Sequence, residues 1–156
     1  MIVSINKPIG WTSYEVIKKI KKITNQKKVG HGGTLDPFAN GVLIVGIGRQ
    51  STKKLNTFLN SNKEYIATLL LGEETDTLDK DGKIIKTLDV PELNKKDVKN
   101  ILLTFQGNSE QLTPLYSARK ISGKKLYEYA RNNIPVERPK KKINIFDLSL
   151  ISIKKK

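Results

Sequence analysis

Residues 30–41 constrain the fold of this chain more than any other segment. These twelve residues hold four glycines, a proline, the only histidine and a single carboxylate, that of Asp36. Glycine lets the backbone turn in ways closed to other residues and lets a ligand come close. The segment is therefore predicted to be a loop that presents Asp36. A plain surface turn begun by Asp36 and Pro37 accounts for the same composition equally well.

The residues before this loop predict a strand followed by an amphipathic helix. Residues 1–6 are apolar enough for a short strand, which Pro8 and Gly10 end. Thr12 and Glu15 have the spacing of a capping box, which begins a helix. Its apolar stripe consists of Val16, Ile17, Ile20 and Ile23, and its lysines, continuing to the loop, are Lys18, Lys19, Lys21, Lys22, Lys27 and Lys28. A lysine face is usually solvated surface, but lysines that lead to a candidate reactive loop favour phosphate contacts.

The rest of the chain alternates between strand and helix patterns. Strands are predicted at residues 42–47, 63–72, 83–87 and 143–153. Helices are predicted at residues 51–60, 94–105 and 124–131, an acidic turn at 73–82, an extended segment at 111–120 and an irregular basic one at 135–142. With 156 residues and no dividing linker, the chain is predicted to be one domain, 1–156, and the order of elements is compatible with an α/β fold.

Charge and composition narrow the function classes. Lys and Arg number 29 against 15 Asp and Glu, which gives a net charge of +14 and predicts a polyanionic partner, nucleic acid before membrane. An AT-rich genome also enriches Lys, Ile and Asn, so composition alone leaves both explanations open. The chain has no cysteine and one histidine, so no disulfide and no metal site is expected. The sequence contains no signal peptide or membrane-spanning run, which predicts a soluble, cytoplasmic protein.

Few side chains are candidates for chemistry. Acid–base catalysis on a glycosidic bond generally needs two carboxylates, and no second acid lies near Asp36 in the sequence. His31 is five residues away and is, on the residues alone, best explained as an ordinary loop or core histidine. Tyr65 and Tyr116 offer aromatic surfaces on which a base could rest. One carboxylate, an aromatic platform and many lysines fit chemistry on a base that has left its stack in folded RNA or DNA.

Five blocks of the sequence together resemble the TruB-type tRNA pseudouridine synthases. They are residues 7–13 (KPIGWTS), 30–43 (GHGGTLDPFANGVL), 63–65 (KEY), 71–77 (LGEETDT) and 116–131 (YSARKISGKKLYEYAR). The resemblance implies a pseudouridine synthase fold, an α/β (α+β) domain with a mixed, mostly antiparallel sheet and flanking helices. It further implies an isomerase (intramolecular transferase) that converts uridine to pseudouridine in the T-loop of tRNA, at the position the family numbers 55, without a metal or cofactor.

The resemblance also implies roles for individual residues. Asp36 matches the catalytic aspartate, which attacks the uridine at the base or the ribose. Tyr65 matches the active-site tyrosine, which stacks on the flipped base and assists proton transfer. His31 matches a histidine that holds the flipped nucleotide, and Lys7 and Pro8 match a motif that supports the loop. The further substrate-binding candidates are Gly33, Thr34, Tyr116 and Lys120, the last two in a thumb-like RNA-gripping insertion at about 112–140.

The chain departs from the family pattern at its C-terminal end. Family members continue with the second half of the catalytic sheet, whose arginine pairs with the catalytic aspartate, and usually with a small RNA-binding domain. The expectation is therefore a truncated catalytic domain with weak or no turnover, since a charge-assisted arginine–carboxylate pair is hard to replace. The alternative is a catalytically weak or silent RNA-binding module of the same family. A carboxylate-dependent hydrolase of another fold is disfavoured, because no second acid is placed for it.

Overall fold

The chain forms two compact units in a computed structural model. The structure describes residues 1–117 and 119–154, so Ala118 of the block at 116–131 lies outside the described residues. One unit comprises Met1–Ala67 and the other Thr68–Lys156. Within the described part of the chain, no helix combines the length and apolar character needed to cross a bilayer. Each unit is described by itself below.

The first unit is built on a three-stranded antiparallel sheet. Its strands are β1 (Ile2–Lys7), β2 (Val29–His31) and β3 (Gly41–Ile47), in the order β1–β3–β2. The predicted strands at 1–6 and 42–47 are confirmed, whereas the short β2 was not predicted. In the register, Lys7 lies opposite Gly41 and His31 opposite Val45. Because β2 and β3 are neighbours, the glycine-rich loop starts and ends on adjacent strands.

Helix α1 (Ser13–Thr24) packs on this sheet as its apolar stripe predicts. Its first turn is held by a capping box, since the Thr12 hydroxyl accepts from the Glu15 amide at 3.1 Å and the Glu15 carboxylate accepts from the Thr12 amide at 2.7 Å. The core of the unit consists of Val16, Ile17, Leu43 and Val45, with Ile20 packed against it. The expectation that Ile23 belongs to the stripe is wrong, because this residue of the last turn is 66% exposed.

Two short helices, rather than the single predicted helix at 51–60, follow the sheet. They are α2 (Arg49–Lys53) and α3 (Leu55–Leu59). Gly46 of β3 lets α2 come close, because a Cβ there would lie 3.0 Å from the Ser51 carbonyl carbon. Gly32 plays the same part for α3, since its Cβ would lie 3.2 Å from that of Phe58. Both contacts are tighter than ordinary van der Waals packing, so a side chain at either position requires the helix to shift.

The strand predicted at residues 63–72 is absent from the described structure. Residues 63–70 have no regular secondary structure, and Tyr65, Ile66 and Leu69 are exposed. A strand is stabilised by hydrogen bonds and side-chain pairs with a neighbouring strand, so its β-forming residues alone do not suffice. No described segment supplies such a neighbour to residues 63–70.

The second unit consists of antiparallel strand pairs and two helices. In chain order the elements are β4 (Glu73–Thr75), β5 (Ile84–Thr87), α4 (Lys95–Leu103), β6 (Gly107–Leu112), β7 (Lys120–Ile121), β8 (Lys124–Lys125), α5 (Leu126–Arg131) and β9 (Lys140–Ile145). The pairs are β4 with β5, β6 with β9, and β7 with β8. The strand near 83–87 and the helices near 94–105 and 124–131 are confirmed. The acidic segment at 73–82 begins with the strand β4, and only the residues after this strand form the predicted turn.

The last strand lies earlier than predicted. The sequence predicts an irregular basic segment at 135–142 and a strand at 143–153, but β9 occupies Lys140–Ile145. Pairing with β6 explains the difference: Glu110 lies opposite Lys142 in the register and forms an ion pair with Lys140 at 3.6 Å. The lysines of β9 therefore belong to the strand. The predicted α/β class is confirmed, and all strand pairings among the described residues are antiparallel.

Candidate active-site loop

The backbone of the glycine-rich loop is fixed on both sides of Asp36. On the N-terminal side, the Ser13 hydroxyl bonds to both backbone groups of Leu35, accepting from the amide at 3.0 Å and donating to the carbonyl at 3.2 Å. On the C-terminal side, the Pro37 carbonyl accepts from the Gly10 amide at 2.7 Å. Asp36 thus lies between two residues that are both tied to the segment connecting β1 to α1.

Lys7 reinforces this connection from inside the unit. Its side chain is completely buried, and Nζ donates to the carbonyls of Pro8 at 3.0 Å and Trp11 at 2.6 Å. A third, longer bond of 3.5 Å reaches the carbonyl of Pro37. A lysine has three donors, so one side chain can join the turn after β1 to the loop. The structure therefore brings Lys7 and Pro8 together with the Asp36 loop, and their supporting role in a reaction stays a prediction.

The Asp36 side chain itself is exposed. Its backbone carbonyl accepts from the Ala39 amide at 3.1 Å, which closes a turn with Pro37 and Phe38 at its centre. In the described part of the chain its carboxylate makes no hydrogen bond and no ion pair. A carboxylate on a fixed backbone, open to solvent and without a competing partner, can act on a large ligand as a nucleophile or a base.

His31 ends β2, immediately before the loop. Its imidazole is partly buried, and Nδ1 is buried without a hydrogen-bond partner among the described residues. Two positions on, Gly33 has φ +143°, a backbone conformation that residues with a Cβ rarely adopt. Thr34 follows it and is exposed. The loop thus needs its glycine for shape, while His31 and Thr34 provide polar groups on either side.

The remaining candidates, Tyr65, Tyr116 and Lys120, lie outside the loop. Tyr65 is 70% exposed in the irregular segment after α3, and its hydroxyl makes no hydrogen bond to the described residues. Tyr116 and Lys120 belong to the other unit, Thr68–Lys156, where Lys120 starts β7. Their participation in one site with Asp36 stays a prediction.

The structure adds Ser13 to the residues that shape the loop, and sequence reasoning missed it. Ser13 is 3% exposed in the first turn of α1, and its hydroxyl reaches Leu35, 22 positions away in the chain. The available signal was its place directly after the capping Thr12 in the KPIGWTS block. That signal indicates a helix start and says nothing about a partner far along the chain.

The one acid on α1, Glu15, is engaged in the capping box. Its pKa is lowered from the ordinary 4.5, chiefly by the hydrogen bond from the Thr12 amide and then by that from the Thr12 hydroxyl. Within the described residues, no three His, Cys, Asp or Glu side chains converge as a metal site requires.

The sequence is similar to a known protein family and to curated relatives of about twice its length. The sequence model of a family described as "TruB family pseudouridylate synthase (N terminal domain)" matches residues 21–156. The tRNA pseudouridine synthase B of Clostridium kluyveri is 45% identical over 152 residues, which are 97% of this chain and 52% of the relative. That of Hydrogenovibrio crunogenus is 47% identical over 150 residues, 96% of this chain and 49% of the relative.

The fold also has a counterpart among solved structures. A chain in a crystal structure titled as a Cbf5–Nop10–Gar1 complex aligns with 98% of this chain and 36% of its own length, with a TM-score of 0.60 and 24% identity. At that identity the likeness concerns the fold. This chain spans about half the length of the curated relatives it matches.

Proposed function

This chain belongs to the TruB family of pseudouridylate synthases, and we propose that it takes part in isomerising uridine to pseudouridine in tRNA. The observation that carries the proposal is the geometry of Asp36. Its neighbours Leu35 and Pro37 are both bonded to the Lys7–Ser13 segment, while its carboxylate is exposed and unpaired within the described chain. A reactive group held in this way can meet a nucleotide without rearrangement of the loop.

The reaction requires the target base to leave its stack. The proposed substrate is a uridine in the T-loop of tRNA, where flipping costs less than in a paired stem. Tyr65 supplies the aromatic surface for the flipped base, and His31, Gly33 and Thr34 line its path. Asp36 attacks the uridine, and the bond between ribose and the uracil nitrogen breaks. The uracil then turns and rejoins through carbon, and the bond between the uridine and Asp36 breaks, which frees the carboxylate. That carbon loses a proton and the nitrogen gains one, so the product is an isomer.

The second unit provides a candidate for gripping the RNA. Residues 113–139 form an insertion between β6 and β9, and it contains β7, β8 and α5. The two ends of this insertion are hydrogen-bonded to each other, because the amide and the hydroxyl of Thr113 both donate to the Pro139 carbonyl, at 3.1 and 2.7 Å. Tyr116 and the exposed Lys120 lie in this insertion, which supports the proposed RNA-gripping segment at about 112–140. An enzyme acting on tRNA in this way is proposed to work in the cytoplasm.

One observation favours a second function, that of an RNA-binding module with weak or no turnover. The resemblance implies an arginine beside the catalytic aspartate, yet no described cation lies within ion-pairing distance of the Asp36 carboxylate. A bidentate guanidinium orients a carboxylate as a solvated lysine cannot. Turnover by this chain alone is therefore expected to be far below that of a full-length relative.

The test measures pseudouridine in unmodified tRNA after incubation with six proteins. They are the chain and a fusion of the chain to the remainder of the C. kluyveri relative, each unaltered, with Asp36→Asn and with Asp89→Asn. Asp89 is a matched control because it is also exposed and makes no hydrogen bond to the described residues. Asn preserves the size of the side chain and removes its charge, so the loop stays intact.

If the chain is part of such an enzyme, we expect product from the fusion and little product from the chain alone. Asp36→Asn should lower the pseudouridine yield of both, and Asp89→Asn should leave it unchanged. The silent module predicts RNA binding by the chain, unchanged in Asp36→Asn, with no product from the fusion. Product that persists in Asp36→Asn contradicts the role of Asp36. A yield from the chain alone equal to that of the relative contradicts the expectation of weak turnover.

A further inference from the structure

The C-terminal end of α1 forms a basic groove on the first unit. The groove has a volume of ≈ 440 Å³ and is lined by Lys21, Lys22, Asn25, Gln26 and Lys27. All five side chains can donate hydrogen bonds, and none is acidic. The groove is shallow and open to solvent, and it presents donors and positive charge.

The charge of this groove is not neutralised by the protein. In the described part of the chain, none of its three lysines forms an ion pair or a hydrogen bond through its side chain. The only acid on α1, Glu15, lies at the opposite end of the helix and is bonded to Thr12. The lysines are thus available to an external anion.

The shape of this groove follows from how α1 ends. Asn25 caps the helix in the left-handed conformation, with φ 52° and ψ 28°, which asparagine tolerates better than most residues. This turn carries the chain back so that Lys27 lines the same groove as the lysines of the last helical turn. Lys21 and Lys22 also lie where cations offset the helix dipole, but Lys27 lies beyond the helix and has no such function.

The groove is connected directly to the candidate reactive loop. Lys27 is followed within two residues by β2 (Val29–His31), which runs into the loop. The loop itself is tied to the first turn of α1 by the bonds between Ser13 and Leu35, and the groove lies at the last turn, so the two are separated by roughly the 18 Å length of this 12-residue helix. The backbone of one RNA stem spans that distance, so an RNA whose nucleotide meets Asp36 can also contact the groove.

We infer that this groove binds the phosphate backbone of the RNA substrate, as a contact separate from the insertion in the second unit. The inference rests on the proposed function for the identity of the RNA. Lysines bind phosphates without reading bases, so the groove contributes affinity and position but little sequence preference. Removing its charges weakens binding of any RNA of similar shape to the same extent.

The test measures the affinity of the chain for an unmodified tRNA transcript over a series of salt concentrations. The groove variant carries Lys21→Gln, Lys22→Gln and Lys27→Gln together. The control variant carries Lys95→Gln, Lys96→Gln and Lys99→Gln, which remove the same charge from exposed positions on α4. The single variant Lys27→Gln lies outside the helix and so tests the groove without touching α1.

For the groove variant we expect about tenfold weaker binding, and a plot of log affinity against log salt about two to three units less steep. The control variant should retain the original slope, and Lys27→Gln should lose about one unit of it. Equal losses in both triple variants, or no loss in Lys27→Gln, overturn the inference while leaving the Asp36-dependent product of the fusion, and with it the proposed function, intact. Failure of the unaltered chain to bind the transcript contradicts both proposals.

Discussion

Replacing Ser13 with alanine tests whether the loop is fixed from α1. The Ser13 hydroxyl is buried and bonds to the Leu35 amide at 3.0 Å and to its carbonyl at 3.2 Å. Ser13→Ala removes both bonds at once and leaves a half-buried amide without a partner. Losing one partner of such a bond costs about 1–3 kcal/mol. Because Leu35 is only partly buried, we expect the free energy of opening this part of the loop to fall by about 1–2 kcal/mol.

The expected change is local, so the assay is hydrogen exchange of single amides followed by NMR. A loss of about 1–2 kcal/mol corresponds to roughly 5- to 30-fold faster exchange of the Leu35 amide. The Gly32 amide, which donates to the Ile44 carbonyl at 2.8 Å, serves as an internal reference in the same protein. Its exchange should change much less, since Ser13 does not contact it.

A matched variant removes a hydroxyl that has no such function. Ser61 is exposed and its hydroxyl donates one bond of 2.8 Å to the Phe58 carbonyl, so Ser61→Ala should leave the exchange of the Leu35 amide unchanged. Unaltered exchange of Leu35 in Ser13→Ala shows that the two residues are not coupled. Equal acceleration of Leu35 and Gly32 points to loss of the whole sheet, and either result refutes the reasoning.

Two further predictions concern the same segment. Lys7→Met keeps the buried aliphatic chain but removes the donor to three carbonyls. Urea denaturation should therefore show that the free energy of unfolding falls by about 2–4 kcal/mol. The exposed control Lys53→Met should lower it by less than about 0.5 kcal/mol. The capping box stabilises the charged form of Glu15, whose pKa is lowered in the folded chain; its contribution is therefore present above the ordinary value of 4.5 and is lost as pH falls through the lowered pKa. The thermal midpoint of Glu15→Gln should accordingly fall less between pH 7 and pH 3 than that of the unaltered chain, and an identical fall contradicts this role.

Local signals predicted the first unit best. The capping box at Thr12 and Glu15 placed the start of α1, because a helix begins where nearby residues satisfy its free amides. The strands β1 and β3 were evident from short apolar runs bounded by proline or glycine. These features depend on residues close together in the chain, so a sequence reveals them.

Elements that depend on distant partners were not predictable in the same way. Residues 63–72 have the composition of a strand and form none in the described structure, whereas the lysines of β9 form one because β6 lies beside them. The three-residue β2 carries no pattern of its own and exists through pairing with β3. A strand forms only beside a neighbouring strand, and the sequence of one segment does not show which neighbour it will have.

The same difference between nearby and distant partners applies to the residues of the candidate site. Composition singled out Asp36, and the family resemblance drew attention to Lys7 and Pro8. The bond from Ser13 to Leu35 joins residues on different elements, and only the folded chain shows it. What positions the Asp36 carboxylate is thus less visible in the sequence than the carboxylate itself.

The role of Asp36 is tested most directly by the pseudouridine yield of the fused enzyme with and without the Asp36 carboxylate. We expect product in unmodified tRNA from the fusion, none from its Asp36→Asn variant, and equal RNA binding by both. The Asp89→Asn variant of the fusion should keep the original yield. Pseudouridine formed by the Asp36→Asn fusion at the rate of its parent contradicts the claim that the glycine-rich loop presents the reactive group.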